Sequence, residues 1–296
     1  MLAASELRKQ FDELVAVDGV SLTVTAGSIF GLLGPNGAGK TTTISIIGGL
    51  LTADGGKVTI AGQGGPAESR NRRLLGQAPQ ALALYDQLTA DENLAFFGKL
   101  YGLTGKKLKE RIDWCLELSG LSERRQSRVG TFSGGMKRRL NLACALVHDP
   151  PIVLLDEPTV GVDPQSRHLI FERIEQLRDE GRAILYTTHY MEEAQRLCDR
   201  VAIIDHGKIL DCGTVPDLIA RHGGVSVVTA DLERPPDEQI SLPGELTDLH
   251  LRFESARPLE EISQLVARGV VFTSLRIDRP DLETVFLQLT GRRLRD

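Results

Sequence analysis

Apolar and polar residues alternate with period two over Val15-Ala16-Val17 and again over Val20-Ser21-Leu22-Thr23-Val24. This predicts two short strands, with Asp18-Gly19 as the turn between them. Ile29-Phe30-Gly31-Leu32-Leu33 is a continuous apolar run and reads as a buried strand; Thr43-Ile44-Ser45-Ile46-Ile47 lies in a helix starting near Gly39. Asp54-Gly55-Gly56 predicts a turn and residues 57–62 a strand. Residues 74–80 predict a strand running into a loop, because Pro79 disfavours helix before it. From Thr89 to Ala145 the period lengthens. Thr89-Ala90-Asp91-Glu92 resembles a helix cap with an acidic first turn, and residues 108–118 and 136–146 repeat apolar positions at helical spacing. Ile152-Val153-Leu154-Leu155 is a buried parallel strand ending in Asp156-Glu157-Pro158, followed by a helix over 165–179 and a second buried strand over 183–188. Residues 201–205 and 208–210 predict a hairpin around His206-Gly207.

Beyond Pro216 the pattern changes. Strands over 225–230, 249–253 and 270–276 alternate with helices over 258–268 and 280–289; Gly223-Gly224 reads as a hinge, and Pro235 and Pro236 sit in an acidic loop. The expected division is therefore an α/β domain over 1–222, with a helical lobe at about 85–150, and a small α+β domain over 223–296.

Composition narrows the class. With 41% hydrophobic and 25% charged residues, the 296-residue chain is globular rather than disordered. A net charge of -5 opposes a broad nucleic-acid surface, so no nucleic-acid partner is expected. No stretch reads as a membrane span, and the N-terminal segment carries charges where a secretory signal needs an apolar core; a cytosolic chain is expected. Cys115, Cys144, Cys198 and Cys212 form no C-x-x-C pair, which leaves buried thiols as their expected role.

The chemistry concentrates at six stations. Gly34, Pro35, Asn36, Gly37, Ala38, Gly39, Lys40, Thr41 and Thr42 have phosphate-loop spacing and stand where a strand turns into a helix. Glycines there let backbone N–H groups approach a polyphosphate at the positive end of the helix, Lys40 adds a point charge, and Thr41 offers a hydroxyl to Mg²⁺. Asp156 and Glu157 end a buried strand, a costly place for two acids unless a cation or a proton uses them. Asp156 is positioned to hold Mg²⁺ through water and Glu157 to deprotonate an attacking water. His189 is delivered to the same sheet edge, where it can sense a γ-phosphate, and Gln80 at a strand end can offer its carbonyl to Mg²⁺ and the water. Ser133-Gly134-Gly135 at a helix start is a second anion-binding arrangement, or a flexible cap. Phe11 can stack on a base or belong to the core.

Taken together, these stations resemble the nucleotide-binding subunit of an ABC transporter over nearly the whole chain. The resemblance implies a P-loop NTPase fold with a mixed sheet and a helical lobe. It makes Gly34 to Thr42 the Walker A loop, Gln80 the Q-loop glutamine and Phe132 to Met136 the signature motif. It further makes Ile152 to Glu157 the Walker B motif, Val160 to Asp163 the D-loop, His189 the switch histidine and Phe11 the aromatic on which adenine stacks. Phe132 departs from the usual leucine, while Ser133-Gly134-Gly135 is intact. Within the superfamily, FSGGMKRRL, VGVDPQSR and the terminal LETVFLQLTGRRLRD resemble the daunorubicin/doxorubicin-resistance type of exporter ATPase, whose subunits pair with a separate six-helix permease.

That resemblance implies ATP held between two copies facing head to tail, Walker A of one against Ser133-Gly135 of the other, with Asp163 communicating across the interface. Glu157 acts as base, and Lys40, Mg²⁺ and His189 stabilise the transferring phosphoryl group. The implied place of work is the cytoplasmic face of the membrane, against an integral permease, with a drug, lipid or other amphipathic compound as cargo. A rival class is a soluble ABC ATPase acting on ribosomes or DNA. Such relatives usually carry two nucleotide domains or long coiled-coil insertions, and this sequence has neither. The C-terminal domain fits either pairing of subunits or regulation of hydrolysis.

Overall fold

The computed structural model describes residues 1–237 and 239–291. In chain order, β1 (Leu2–Phe11), β2 (Leu14–Val24) and β3 (Ser28–Leu33) lead into α1 (Lys40–Ile47). Then come β4 (Gly55–Ile60), the short α2 (Ser69–Arg72) and β5 (Leu75–Ala78). Three helices, α3 (Ala90–Leu100), α4 (Gly105–Ser119) and α5 (Gly134–Leu146), make a lobe of their own. The chain returns through β6 (Ile152–Asp156), α6 (Pro164–Asp179), β7 (Ala183–Thr188), α7 (Met191–Leu197), β8 (Arg200–Asp205) and β9 (Lys208–Gly213). One compact unit spans Met1–Val215, and a second begins at Pro216, within α8 (Val215–His222).

In the first unit the main sheet has six strands in the order β5-β6-β7-β3-β8-β9, parallel except for β9. Parallel pairing brings the C-terminal ends of β3, β6 and β7 to one edge, so the glycine loop, the acid pair and His189 emerge together. Ile152 to Leu155 are buried on both faces, as the uninterrupted apolar run requires; each such side chain contributes roughly 1.5–3 kcal/mol. A second sheet, β2-β1-β4, is antiparallel and closes over α1 with Leu2, Leu7, Val20, Ile44 and Ile60 in one core.

Asp18-Gly19 is not a turn. Both lie inside the continuous β2, where Gly19 adopts φ +73° and the pairing with β1 slips from Leu7↔Val20 to Arg8↔Asp18. The glycine serves a β-bulge, and the chain reverses instead at Asp12-Glu13, with Asp12 at φ +50°. The helical lobe follows its sequence signals closely. Thr89 caps α3 by accepting from Glu92 N (3.1 Å), while Glu92 accepts from Thr89 N (2.8 Å), a reciprocal capping box.

The second unit continues with β10 (Ser226–Leu232), β11 (Glu245–Thr247), β12 (His250–Ser255), α9 (Pro258–Ala267), β13 (Phe272–Asp278) and α10 (Leu282–Thr290). Its sheet, β11-β12-β10-β13, is antiparallel. Alternation along β10 and β12 buries Val228, Leu232, Leu251 and Phe253 against Ile262 and Leu265 of α9. Asp281 caps α10 by accepting from Thr284 N at 2.9 Å. The unit is α+β with its own small core.

Candidate functional site

The loop after β3 is shaped by its glycines. Gly37 and Gly39 adopt φ +80° and +101°. A Cβ on Gly39 would lie 2.3 Å from the Ala16 carbonyl oxygen, and one on Gly34 2.2 Å from that of Ile204, so both positions are closed to any side chain. Asn36, Gly37 and Thr41 face solvent, Pro35, Gly39 and Thr42 are half-buried, and Ala38 is buried. Lys40 folds back into the loop and donates from Nζ to the carbonyls of Gly34 (2.7 Å) and Pro35 (2.9 Å).

Four side chains expected to be catalytic meet at one carboxylate. Glu157 Oε1 lies 3.0 Å from Lys40 Nζ and 3.3 Å from His189 Nδ1, and Oε2 accepts from Gln80 Nε2 at 3.0 Å. Glu157 adopts φ +46°, the left-handed region that a β-carbon disfavours. Its backbone N–H is held there by Thr187 Oγ1 at 3.0 Å. The same hydroxyl donates to Asp156 Oδ1 at 2.6 Å, because β6 and β7 place Asp156 directly beside Thr187. Burial pushes the Asp156 carboxyl above the ordinary carboxylate range, against the pull of the Thr187 and Thr41 hydroxyls. A buried acid met mainly by hydroxyls is suited to a hard cation. Among the described residues no three acid, histidine or cysteine side chains form a metal cage.

The remaining expected residues stand apart from this cluster. Ser133 is the N-cap of α5, its Oγ accepting from Met136 N at 3.2 Å, and it and Gly134 are exposed. Gly135 is buried against Ser166 and Asp163. Asp163 caps α6 through Ser166 N (2.9 Å), and that bond holds its carboxyl below the usual range. Phe11 ends β1 and is 44% exposed, with Lys9 Nζ 5.5 Å from the ring centre.

Several residues that sequence reasoning passed over belong to the arrangement. Arg138 of α5 donates to the Gln80 carbonyl and, at 3.4 Å, to that of Val160, joining the lobe to both flanks of the acid pair. Thr187, Thr159 and Glu193 are buried polar groups around β7. The available signal was two consecutive threonines inside an otherwise apolar strand. Away from the acid pair, a cleft of about 380 Å³ between the lobe and the sheet is lined by Leu50, Arg72, Pro79, Phe97, Leu100 and Tyr101, among others.

A strand, a glycine loop and a helix, with the loop lysine set against acids from a neighbouring parallel strand, define a P-loop nucleotide hydrolase. The family model described as ABC transporter matches residues 17–160. The chain is 42% identical over 311 residues to the linearmycin resistance ATP-binding protein LnrL of Bacillus subtilis (strain 168), covering all of both chains. It is also 42% identical over 298 residues to the Nod factor export ATP-binding protein I of Rhizobium sp. (strain N33), covering 97% of this chain and 96% of that one. Among solved structures, an ATP binding subunit of an ABC transporter superposes with a TM-score of 0.69 at 32% identity, over 75% of this chain and 93% of that one. A bacterial ABC transporter cassette solved as a dimer gives a TM-score of 0.67 at 26% identity, over 72% of this chain and 98% of that one. The chain belongs to the ABC transporter family: it is an ABC ATPase, an ATP-binding subunit homologous to export ATPases. Among the described residues no helix is long and apolar enough to cross a membrane.

Proposed function

We propose that this ATPase is of the daunorubicin/doxorubicin-resistance exporter type. Two copies face head to tail and drive a separate integral permease from the cytoplasmic face of the membrane. The observation that carries the reading is the convergence of Lys40, Gln80 and His189 on Glu157. On nucleotide binding, Lys40 exchanges the carboxylate for the β- and γ-phosphates, and Phe11 stacks on the adenine. Glu157, released, accepts the proton of a water that attacks the γ-phosphorus as the bond to the β-phosphate oxygen breaks; Gln80 orients that water and His189 steadies the transferring group. Thr41 and Asp156, with Gln80 within reach, would hold Mg²⁺. Bound there with ATP, it supplies charge neutralisation on the phosphates.

Ser133 and Gly134 are exposed at the start of α5, and a helix N-terminus open to solvent supports their meeting the nucleotide of the second copy. The neighbour solved as a dimer supports the association of two copies. The cleft between lobe and sheet supports a seat for an amphipathic segment of the permease: Pro79 and Ala83 line it and flank Gln80, so lobe motion would reach the acid pair. The relatives' names concern resistance to linearmycin and export of Nod factor, in keeping with outward transport of a drug, lipid or other amphipathic compound. In this reading residues 1–222 carry the ATPase, and 223–296 are an accessory domain that pairs or regulates the subunits.

The test is sedimentation of Glu157→Gln at saturating MgATP. A dimer that dissociates when nucleotide is removed is expected. A protein that stays monomeric with and without its permease would overturn the proposal.

A further inference from the structure

Glu193 of α7 is a carboxylate with only 2% of its surface exposed, and none of the expected chemistry uses it. Three hydroxyls donate to it: Thr159 Oγ1 to Oε1 at 2.6 Å, and Tyr186 OH and Thr188 Oγ1 to Oε2 at 2.8 and 2.7 Å. All three donors are buried. Arg167 of α6 approaches with Nε at 3.8 Å and also lies over the Tyr190 ring, 5.3 Å from its centre.

The donors come from segments that carry site residues. Thr159 lies between Glu157 and Asp163, and its carbonyl accepts from Val162 N at 3.2 Å, so it pins the turn that leads into Asp163. Thr188 immediately precedes His189, and its hydroxyl also accepts from Tyr190 N at 2.9 Å, which fixes the turn that carries the histidine. One carboxylate therefore holds both turns. Packing alone does not require an acid here, since α7 already buries Ala194 and Leu197; a carboxylate in so dry a place is costly unless its acceptor sites are used.

We infer that Glu193 is a positioning residue that ties the Thr159–Asp163 turn to the Thr188–Tyr190 turn, so that displacement of Asp163 by a partner copy resets His189 against the γ-phosphate. The inference rests on the proposed two-copy reading and on His189 acting there. Glu193 touches neither nucleotide nor water and acts through Thr159 and Thr188.

The test uses the full chain and breaks the link at one end. Thr159→Val is near-isosteric and removes a single donor, while Thr159→Ser keeps it. Steady-state ATPase, affinity for a fluorescent ATP analogue and thermal melting are measured for each. Thr159→Val is expected to lower kcat at least fivefold, with KM and analogue affinity within twofold of the parent, and Thr159→Ser to restore kcat to within twofold. A purely structural role would lower the melting temperature and the active fraction while sparing turnover per folded site. Wild-type turnover in Thr159→Val, or equal losses in both variants, would overturn the inference. If Thr159→Val melts below the assay temperature, Glu193→Gln serves in its place: a fivefold loss of kcat at unchanged analogue affinity supports the link, and unchanged kcat sinks it. Glu157→Gln in the same assay separates the two layers. If it too turns over normally, the reading of the site fails; if it is inactive while Thr159→Val is normal, only the role of Glu193 falls.

Discussion

Lys40 Nζ stands 3.0 Å from Glu157 Oε1, and each of these side chains is only 4% exposed. The cation expected to hold phosphate and the carboxylate expected to activate water thus neutralise each other in one dry space, and nucleotide must separate them. Replacing Glu157 by Gln removes the anion that competes with phosphate for Lys40. Turnover should fall by roughly 10²- to 10⁴-fold, the worth of a general base, while ATP affinity is unchanged or tighter. Lys40→Ala should instead weaken both binding and turnover. Titration with a fluorescent nucleotide alongside steady-state hydrolysis checks the pair. Equal loss of affinity in Glu157→Gln would show that Glu157 is not the base.

Phe11 tests the other end of the nucleotide. It is 44% exposed at the end of β1, so Phe11→Ala should change folding stability by no more than about 0.5 kcal/mol. Stacking of a base on an aromatic ring is worth about 1–3 kcal/mol, or roughly 5- to 150-fold in affinity. Phe11→Ala should lose ATP affinity within that range, and Phe11→Tyr should keep it. Unchanged affinity in the alanine variant would place adenine elsewhere.

How far the sequence spoke for itself depended on the kind of signal. Local rules were enough for the capping box of Thr89 and Glu92 and for the run from Ile152 to Leu155, because neighbours in sequence carry the energy. That His189 shares a sheet edge with the acid pair was legible because parallel strands bring their C-terminal ends together; the meeting of Lys40, Gln80 and His189 at Glu157 was not. Asp18-Gly19 was misread because a β-bulge and a hairpin turn draw on the same residue pair, and only pairing with β1 distinguishes them. Glu193 and Arg138 were missed because the contacts that give them their place reach far along the chain. Glu193 meets Thr159 as well as the nearby Tyr186 and Thr188, and Arg138 meets the carbonyls of Gln80 and Val160, so only the threonine pair in β7 hinted at the first and no local spacing announces the second.

His148 gives the fold a pH dependence away from the acid pair. Its ring stacks on Tyr101 with centroids 3.5 Å apart, Nε2 meets the Leu75 carbonyl at 3.0 Å, and burial lowers its pKa to about 4. The folded chain therefore keeps this imidazole neutral where the unfolded chain takes up a proton. Stability from this group is fully present above about pH 6.5, falls as pH drops, and levels off below about 4; the loss is at most roughly 3–3.5 kcal/mol. Melting temperature should decline over that window in the parent and decline less in His148→Phe, which keeps an aromatic ring for the stack. The phenylalanine variant should start lower, because the Leu75 carbonyl loses its partner. Parallel curves would assign the pH dependence to other groups.

Gly134 and Gly135 are adjacent in the signature segment, yet the structure gives them opposite constraints. A Cβ on Gly135 would come within 2.3 Å of Ser166 Oγ and 3.0 Å of Asp163 Oδ2, so this glycine seats α5 against the start of α6 within one chain. On Gly134 the nearest atom to an added Cβ is the Gly161 carbonyl oxygen at 3.8 Å, and the position faces solvent. Gly135→Ala should therefore destabilise the isolated subunit by about 1–3 kcal/mol through overpacking. Gly134→Ala, at the first turn of a helix, should leave stability unchanged or raise it by up to about 1 kcal/mol. If Ser133-Gly135 closes on the partner's nucleotide, the added methyl of Gly134→Ala stands where phosphate must approach, and hydrolysis should fall at least tenfold in a well-folded protein. Denaturant unfolding separates the two variants, and the ATPase rate of Gly134→Ala decides the point. Wild-type turnover there would mean that this face does not meet phosphate and that the second copy completes the site in some other way.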